Sequence, residues 1–128
     1  SKMSGGQRQA VAIARGAYWG RKMLLLDEPT AALGVRESGE VLRLLDSLKE
    51  GGITTILVTH NIDHLWRVCD RILVLRRGRL VADVSKGDVT PGEVVGHITG
   101  AIEAQNREGD NDASPAGGAV ATSGSDAG

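Results

Sequence analysis

The chain has 128 residues, enough for one modest core and too few for two. Hydrophobic residues make up 41% and charged residues 24%, and the 15 basic and 16 acidic side chains leave a formal charge of −1. That balance points away from a strongly basic nucleic-acid binder and from a polybasic membrane anchor.

Phe is absent and Tyr18, Trp19 and Trp66 are the only aromatics, so aliphatic residues must build the core and no aromatic stacking surface for nucleic acid is expected. Cys69 is the single cysteine, which excludes an intrachain disulfide and a zinc site built on several thiolates. No apolar run approaches the roughly 18 residues that a bilayer-spanning helix needs.

Along the chain, helix-like and strand-like segments alternate. Ser4 reads as an N-cap ahead of Gly5 and Gly6, and Gln7 to Ala17 as a small-residue helix that is apolar on most sides. Lys22 to Asp27 is a short continuous apolar run that fits a strand buried on both faces. Between Val35 and Glu50, Val41, Leu44, Leu45 and Leu48 recur at helical spacing and Gly51-Gly52 provides the stop, which predicts an amphipathic helix covering the sheet. Thr54 to Thr59 is a second, β-branched strand ending at His60, and Asn61 caps a short helix to Val68.

Arg71 to Leu75 and Arg79 to Val84 read as two strands turned at Arg77-Gly78, and Pro91 opens a last helix to Thr99. The predicted fold class is α/β, a small parallel sheet with helices and an antiparallel hairpin near the end. From Ala104 to Gly128 the chain is almost wholly Ala, Gly, Ser, Asn and acidic residues. Such a stretch buries too little apolar surface to offset its ordering entropy and is expected to be a disordered tail, with the folded part at residues 1–103.

In open parallel sheets ligands collect at the carboxyl ends of the strands, where Asp27-Glu28 and Thr59-His60 fall. Two adjacent carboxylates can divide the work of phosphate hydrolysis: one holds a hydrated Mg²⁺ and the other polarises a water. Ser4-Gly5-Gly6-Gln7 at a helix start exposes backbone N–H groups where the helix dipole favours an anion. Taken singly, the carboxylate pair also reads as a solvated strand end, His60 as a surface residue and the Ser-Gly-Gly-Gln turn as a plain cap.

The ordered set is far more specific. Ser4-Gly5-Gly6-Gln7, then Leu24-Leu25-Leu26-Asp27-Glu28-Pro29-Thr30, then Thr59-His60 resembles the ATP-binding-cassette ATPases in order and spacing, with Ser-Gly-Gly-Gln similar to the family's signature motif and the apolar run before Asp-Glu similar to its Walker B segment.

The resemblance implies a P-loop NTPase-like fold whose cofactors are ATP and Mg²⁺. Asp27 would be the Mg²⁺ aspartate, Glu28 the glutamate that positions the attacking water, and His60 the switch histidine at the γ-phosphate. Ser4, Gly5 and Gly6 would reach ATP bound to the opposite subunit, with Gln7 supporting the turn. The implied partners are a second ATPase subunit, transmembrane permease subunits and, indirectly, an external sugar-binding protein, with no nucleic acid; the implied location is the cytoplasmic face of the membrane.

The stretch from Glu28 to Ser38 looks most like the ATPases of simple-sugar importers, although Gly34 stands where the family's D-loop usually carries an aspartate. No Gly-Lys dipeptide occurs, so the phosphate-cradling Gly-x-x-x-x-Gly-Lys loop is absent from these 128 residues. The chain is accordingly expected to be the C-terminal part of a longer ATPase, inactive by itself. A soluble cassette ATPase acting on ribosomes or DNA, or a non-catalytic remnant, are the competing readings. Cys69 is expected to be an apolar filler, His64 and His97 to be solvated, and Arg76, Arg77 and Arg79 to keep a hairpin edge in water.

Overall fold

The computed structural model describes residues 2–20 and 22–110. Its elements in chain order are α1 (Gly5–Gly20), β1 (Met23–Asp27), α2 (Val35–Glu50), β2 (Thr54–Val58), α3 (Ile62–Val68), β3 (Arg71–Arg76), β4 (Arg79–Ser85), a 3-10 turn at Lys86–Asp88, α4 (Pro91–Thr99) and α5 (Ala101–Asp110). β1 and β2 pair in parallel with Met23 opposite Thr54 and Asp27 opposite Val58, whereas β3 and β4 form an antiparallel hairpin with Arg71 opposite Ser85. The expected α/β class, with a parallel pair before a hairpin, is therefore present, the strands falling into two separate two-stranded sheets among the described residues.

Local chemistry sets the element ends. Ser4 Oγ accepts from the Gln7 N–H at 3.1 Å while Gln7 Oε1 accepts from the Ser4 N–H at 2.9 Å, a reciprocal box that starts α1. α2 stops at Glu50 because Gly52 takes a left-handed backbone, φ +85°, that a side chain resists. Asn61 Oδ1 accepts from the His64 N–H at 3.0 Å and so caps α3. Thr90 and Glu93 form a second box, with Pro91 in the first turn of α4.

The first core joins Ile13 of α1, Leu26 of β1, and Val41, Leu42 and Leu45 of α2, so α2 covers the sheet as expected. Each such side chain, fully buried, contributes about 1.5–3 kcal/mol. A second core gathers Ile72 and Val74 of β3 and Val94 of α4, with Cys69 packed half-buried against it as an apolar filler. Burial pushes the Cys69 thiol pKa up, toward an inert protonated sulfur.

Three expectations change. β1 is not buried on both faces: Met23, Leu25, Ile56 and Val58 share an exposed face, Leu25 at 67%, because α1 and α2 both lie on the other side. α1 is less apolar in effect than its composition suggested, since among its described residues Ile13 is the one buried hydrophobic side chain and Tyr18 and Trp19 are exposed, edge to face at 5.3 Å. α5 carries the helix through the composition change at Glu103 as far as Asp110; Ile102 packs closely against Gly96, and Glu103 pairs with Arg76. The rest of the expected tail, residues 111–128, lies outside the described residues.

Candidate functional site

Parallel pairing of β1 and β2 puts their carboxyl ends side by side, and with them Asp27, Glu28, Thr59 and His60. The Glu28 N–H donates to the Val58 carbonyl at 2.7 Å, which extends the ladder one step past the end of β1. The backbone then turns sharply: Glu28 has φ +48° and Ala32 φ +61°, both left-handed and both costly for a residue bearing a Cβ. Bonds from the Ala31 N–H to the Glu28 carbonyl at 3.1 Å and from the Leu33 N–H to the Thr30 carbonyl at 3.2 Å hold this turn, and Pro29 and Thr30 are buried beneath it.

The Glu28 carboxylate is the centre of the cluster. Its Oε1 accepts from the His60 backbone N–H at 3.0 Å and faces His60 Nδ1 at 2.5 Å, and its Oε2 accepts from the Thr59 hydroxyl at 3.2 Å. A carboxylate offers about four acceptor positions, so Oε2 keeps one for a water or a ligand hydrogen. Because an ionised carboxylate only accepts, Nδ1 must carry the proton of this bond and His60 Nε2 is left to face outward. Partial burial works to raise the Glu28 pKa, but the bonds from the His60 side chain and backbone and from Thr59 outweigh it, so the carboxyl titrates below its usual range. Glu28 is therefore ionised at neutral pH, and Asp27 beside it is exposed.

Ser4, Gly5 and Gln7 sit at the amino end of α1, where Ser4 and Gln7 are exposed and line a concavity of about 250 Å³ with Arg36, Glu37 and Glu40. No hydrogen bond among the described residues joins this group to Glu28 or His60, so the fold holds the two clusters as separate surfaces. Gly6 is buried, and a Cβ there would lie 2.8 Å from the Cβ of Glu37. Its missing side chain is what lets α1 and α2 approach. Gly34 differs again: a Cβ at that position would meet nothing within 4 Å.

Two histidines expected to be solvated are not. His97 is half-buried on α4. His64 is half-buried on α3, with Nδ1 2.8 Å from the hydroxyl of Thr30, itself 8% exposed. This contact between the Asp-Glu-Pro-Thr turn and the helix after His60 has no sequence signal beyond the placement of His64 one helical turn past His60. Arg76, expected to serve only the solubility of the hairpin edge, reaches α5 and pairs with Glu103, whereas Arg77 and Arg79 are exposed.

Residues 1–31 match the family model described as ABC transporter. The fructose import ATP-binding protein of Rhizobium meliloti is 46% identical over 101 residues, covering 79% of this chain and 39% of that protein. A tyrosine transport ATP-binding protein of Clostridioides difficile is 41% identical over 97 residues, 73% of this chain and 39% of that protein. Among solved structures, a metal-chelate type ABC transporter in an inward-facing conformation superposes with a TM-score of 0.65 at 30% identity, over 76% of this chain and 39% of that one. The chain thus spans about two fifths of the length of these relatives. Over the residues they share, the chain is similar in both sequence and fold to ATP-binding-cassette ATPases. No helix among the described residues is long and apolar enough to cross a membrane.

Proposed function

We propose that this chain carries the water-activating and signature portions of an ATP-hydrolysing subunit that drives an importer at the cytoplasmic face of a membrane. The observation that carries the reading is the ionised Glu28 carboxylate, fixed by Thr59 and His60 beside Asp27 at the ends of two parallel strands. Asp27 would hold Mg²⁺. That ion takes one or two carboxylates and completes its shell with water and substrate phosphates, and the exposed Asp27 at the end of β1 fits that sparse mode of binding. When bound, the ion neutralises charge on the phosphates.

Glu28 would orient the attacking water through the free acceptor position on Oε2. Its lowered pKa suits it to polarising that water rather than to keeping the proton. His60, with Nδ1–H committed to Glu28, would present Nε2 to the γ-phosphate, where donation requires the doubly protonated ring. Ser4, Gly5, Gly6 and Gln7 would meet ATP held by a second ATPase subunit, Ser4 and Gln7 from their exposed capping box and Gly6 by seating the helix. Permease subunits and an external binding protein complete the assembly. A simple sugar is the favoured cargo on the similarity to the fructose importer subunit, and the tyrosine transporter subunit is the observation behind an amino-acid alternative.

The test is Mg²⁺-dependent ATP hydrolysis by the full-length subunit. Glu28→Gln is expected to lower kcat by at least about a hundredfold with ATP still bound, in line with the loss of a positioned base. Turnover unchanged in that variant would refute the assignment. The 128-residue chain alone, which contains no Gly-Lys dipeptide, is expected to be inactive in the same assay.

A further inference from the structure

We propose that His64 is a positioning residue for Glu28, acting through Thr30; the proposal rests on the ATPase reading above. Residues 28–30 and 59–64 are tied to each other at two points, and the ties close a ring. The Thr59 hydroxyl donates to Glu28 Oε2 at 3.2 Å and accepts from the Asn61 N–H at 3.0 Å. Asn61 Oδ1 accepts from the His64 N–H at 3.0 Å, and the His64 ring meets the Thr30 hydroxyl at 2.8 Å. Through Pro29 the chain returns from Thr30 to Glu28, the residue whose backbone is held at φ +48°.

The two ties differ in exposure and so in the job each can do. The Glu28–His60 tie is open to solvent, with the His60 side chain 89% exposed, so water competes for it. The Thr30–His64 tie is shielded beneath the turn, touches neither reacting group, and is anchored at both ends, by burial of Thr30 and by the Asn61 cap on His64. A left-handed backbone at a residue with a Cβ persists only where its surroundings fix it. The Thr30–His64 bond adds to the backbone bonds within the turn the side-chain tie that fixes it against α3, keeping the Glu28 carboxylate aimed while the outer tie exchanges.

The experiment is steady-state ATP hydrolysis by the full-length subunit carrying Thr30→Val, Thr30→Ser, His64→Ala or the pair Thr30→Val/His64→Ala, with ¹⁵N NMR of the His64 ring in wild type and Thr30→Val. Thr30→Val and His64→Ala are each expected to lower kcat about five- to tenfold with KM for ATP within twofold, since Thr30 is buried and the His64 ring is bonded to it rather than to Asp27, Glu28 or His60. The pair should cost no more than either alone, and Thr30→Ser should restore the rate. The His64 ring nitrogen should shift in Thr30→Val, a readout independent of turnover. Wild-type kcat in Thr30→Val, an additive double variant, an unrescued Thr30→Ser or an unmoved His64 signal would each overturn the role of His64. Absence of any Glu28-dependent turnover in the wild-type subunit would instead overturn the ATPase reading, and this role with it.

Discussion

Gly6 and Gly5 are adjacent in sequence and share a helix start, yet the packing predicts unequal responses to one added methyl group. In Gly6→Ala the new Cβ would lie 2.8 Å from the Glu37 Cβ, 3.2 Å from its Cγ and 3.3 Å from its Cα. Carbon pairs settle near 3.5–4.0 Å, so α1 and α2 must separate by roughly 0.7 Å or more against backbone that cannot yield locally. Overpacking of this kind costs about 1–3 kcal/mol, and the better helix propensity of Ala returns at most about 1 kcal/mol, leaving a net loss of about 1–2 kcal/mol.

In Gly5→Ala the nearest atom is Leu33 Cδ2 at 3.3 Å, the free end of a side chain that can swing aside, so the net change should stay within about 0.5 kcal/mol. Urea unfolding reads the difference. With a slope of about 1–3 kcal/mol per molar for a small domain, Gly6→Ala should lower the midpoint by roughly 0.3–2 M and leave the slope unchanged. A Gly6→Ala midpoint at or above wild type, or a Gly5→Ala midpoint below that of Gly6→Ala, would refute the packing account of Gly6.

Asn61→Ala removes the cap of α3 and is expected to destabilise by about 1 kcal/mol, visible as a lower thermal midpoint; no change would mean that the Asn61–His64 cap does not hold in solution. Gly34→Asp places a carboxylate at the N-cap of α2 where a Cβ meets nothing, and should raise stability by a few tenths of a kcal/mol, whereas a clear loss would contradict the open space seen there. Because the Glu28 pKa is lowered on folding, its contribution is present above the unfolded value of about 4.3 and is lost as pH falls through the lower folded value. Urea midpoints of wild type should therefore fall toward those of Glu28→Gln in that acid window; parallel curves for the two proteins would count against the Thr59–His60 cradle.

Much of this architecture could be read from the chain because its signals are local. Val41, Leu45 and Leu48 mark one helix face whatever lies opposite, Gly51-Gly52 and Asn61 act on their own neighbours, and the ordered Ser4-Gly5-Gly6-Gln7, Asp27-Glu28 and His60 set carries the family pattern without coordinates. Readings failed where the answer depended on residues distant in sequence. An apolar β1 looked buried on both faces because hydrophobicity shows what a strand tolerates, and only the placement of α1 and α2 on one side decides which face is covered. His64 looked solvated because its partner lies thirty-four positions earlier.

The sequence by itself determined the order of the elements from α1 to α4, the Ser4 and Asn61 caps and which side chains are candidates for chemistry, since propensity, periodicity and residue type are properties of short stretches. Only the tertiary structure decided the particular arrangement: that parallel pairing of β1 with β2 brings Thr59 and His60 onto the Glu28 carboxylate, that Gly6 serves the approach of two helices, and that Thr30 and His64 close a ring around the Asp-Glu-Pro-Thr turn. Hydrogen bonds and contacts of this length are set by geometry to a few tenths of an ångström, and that geometry exists only once distant segments have packed together.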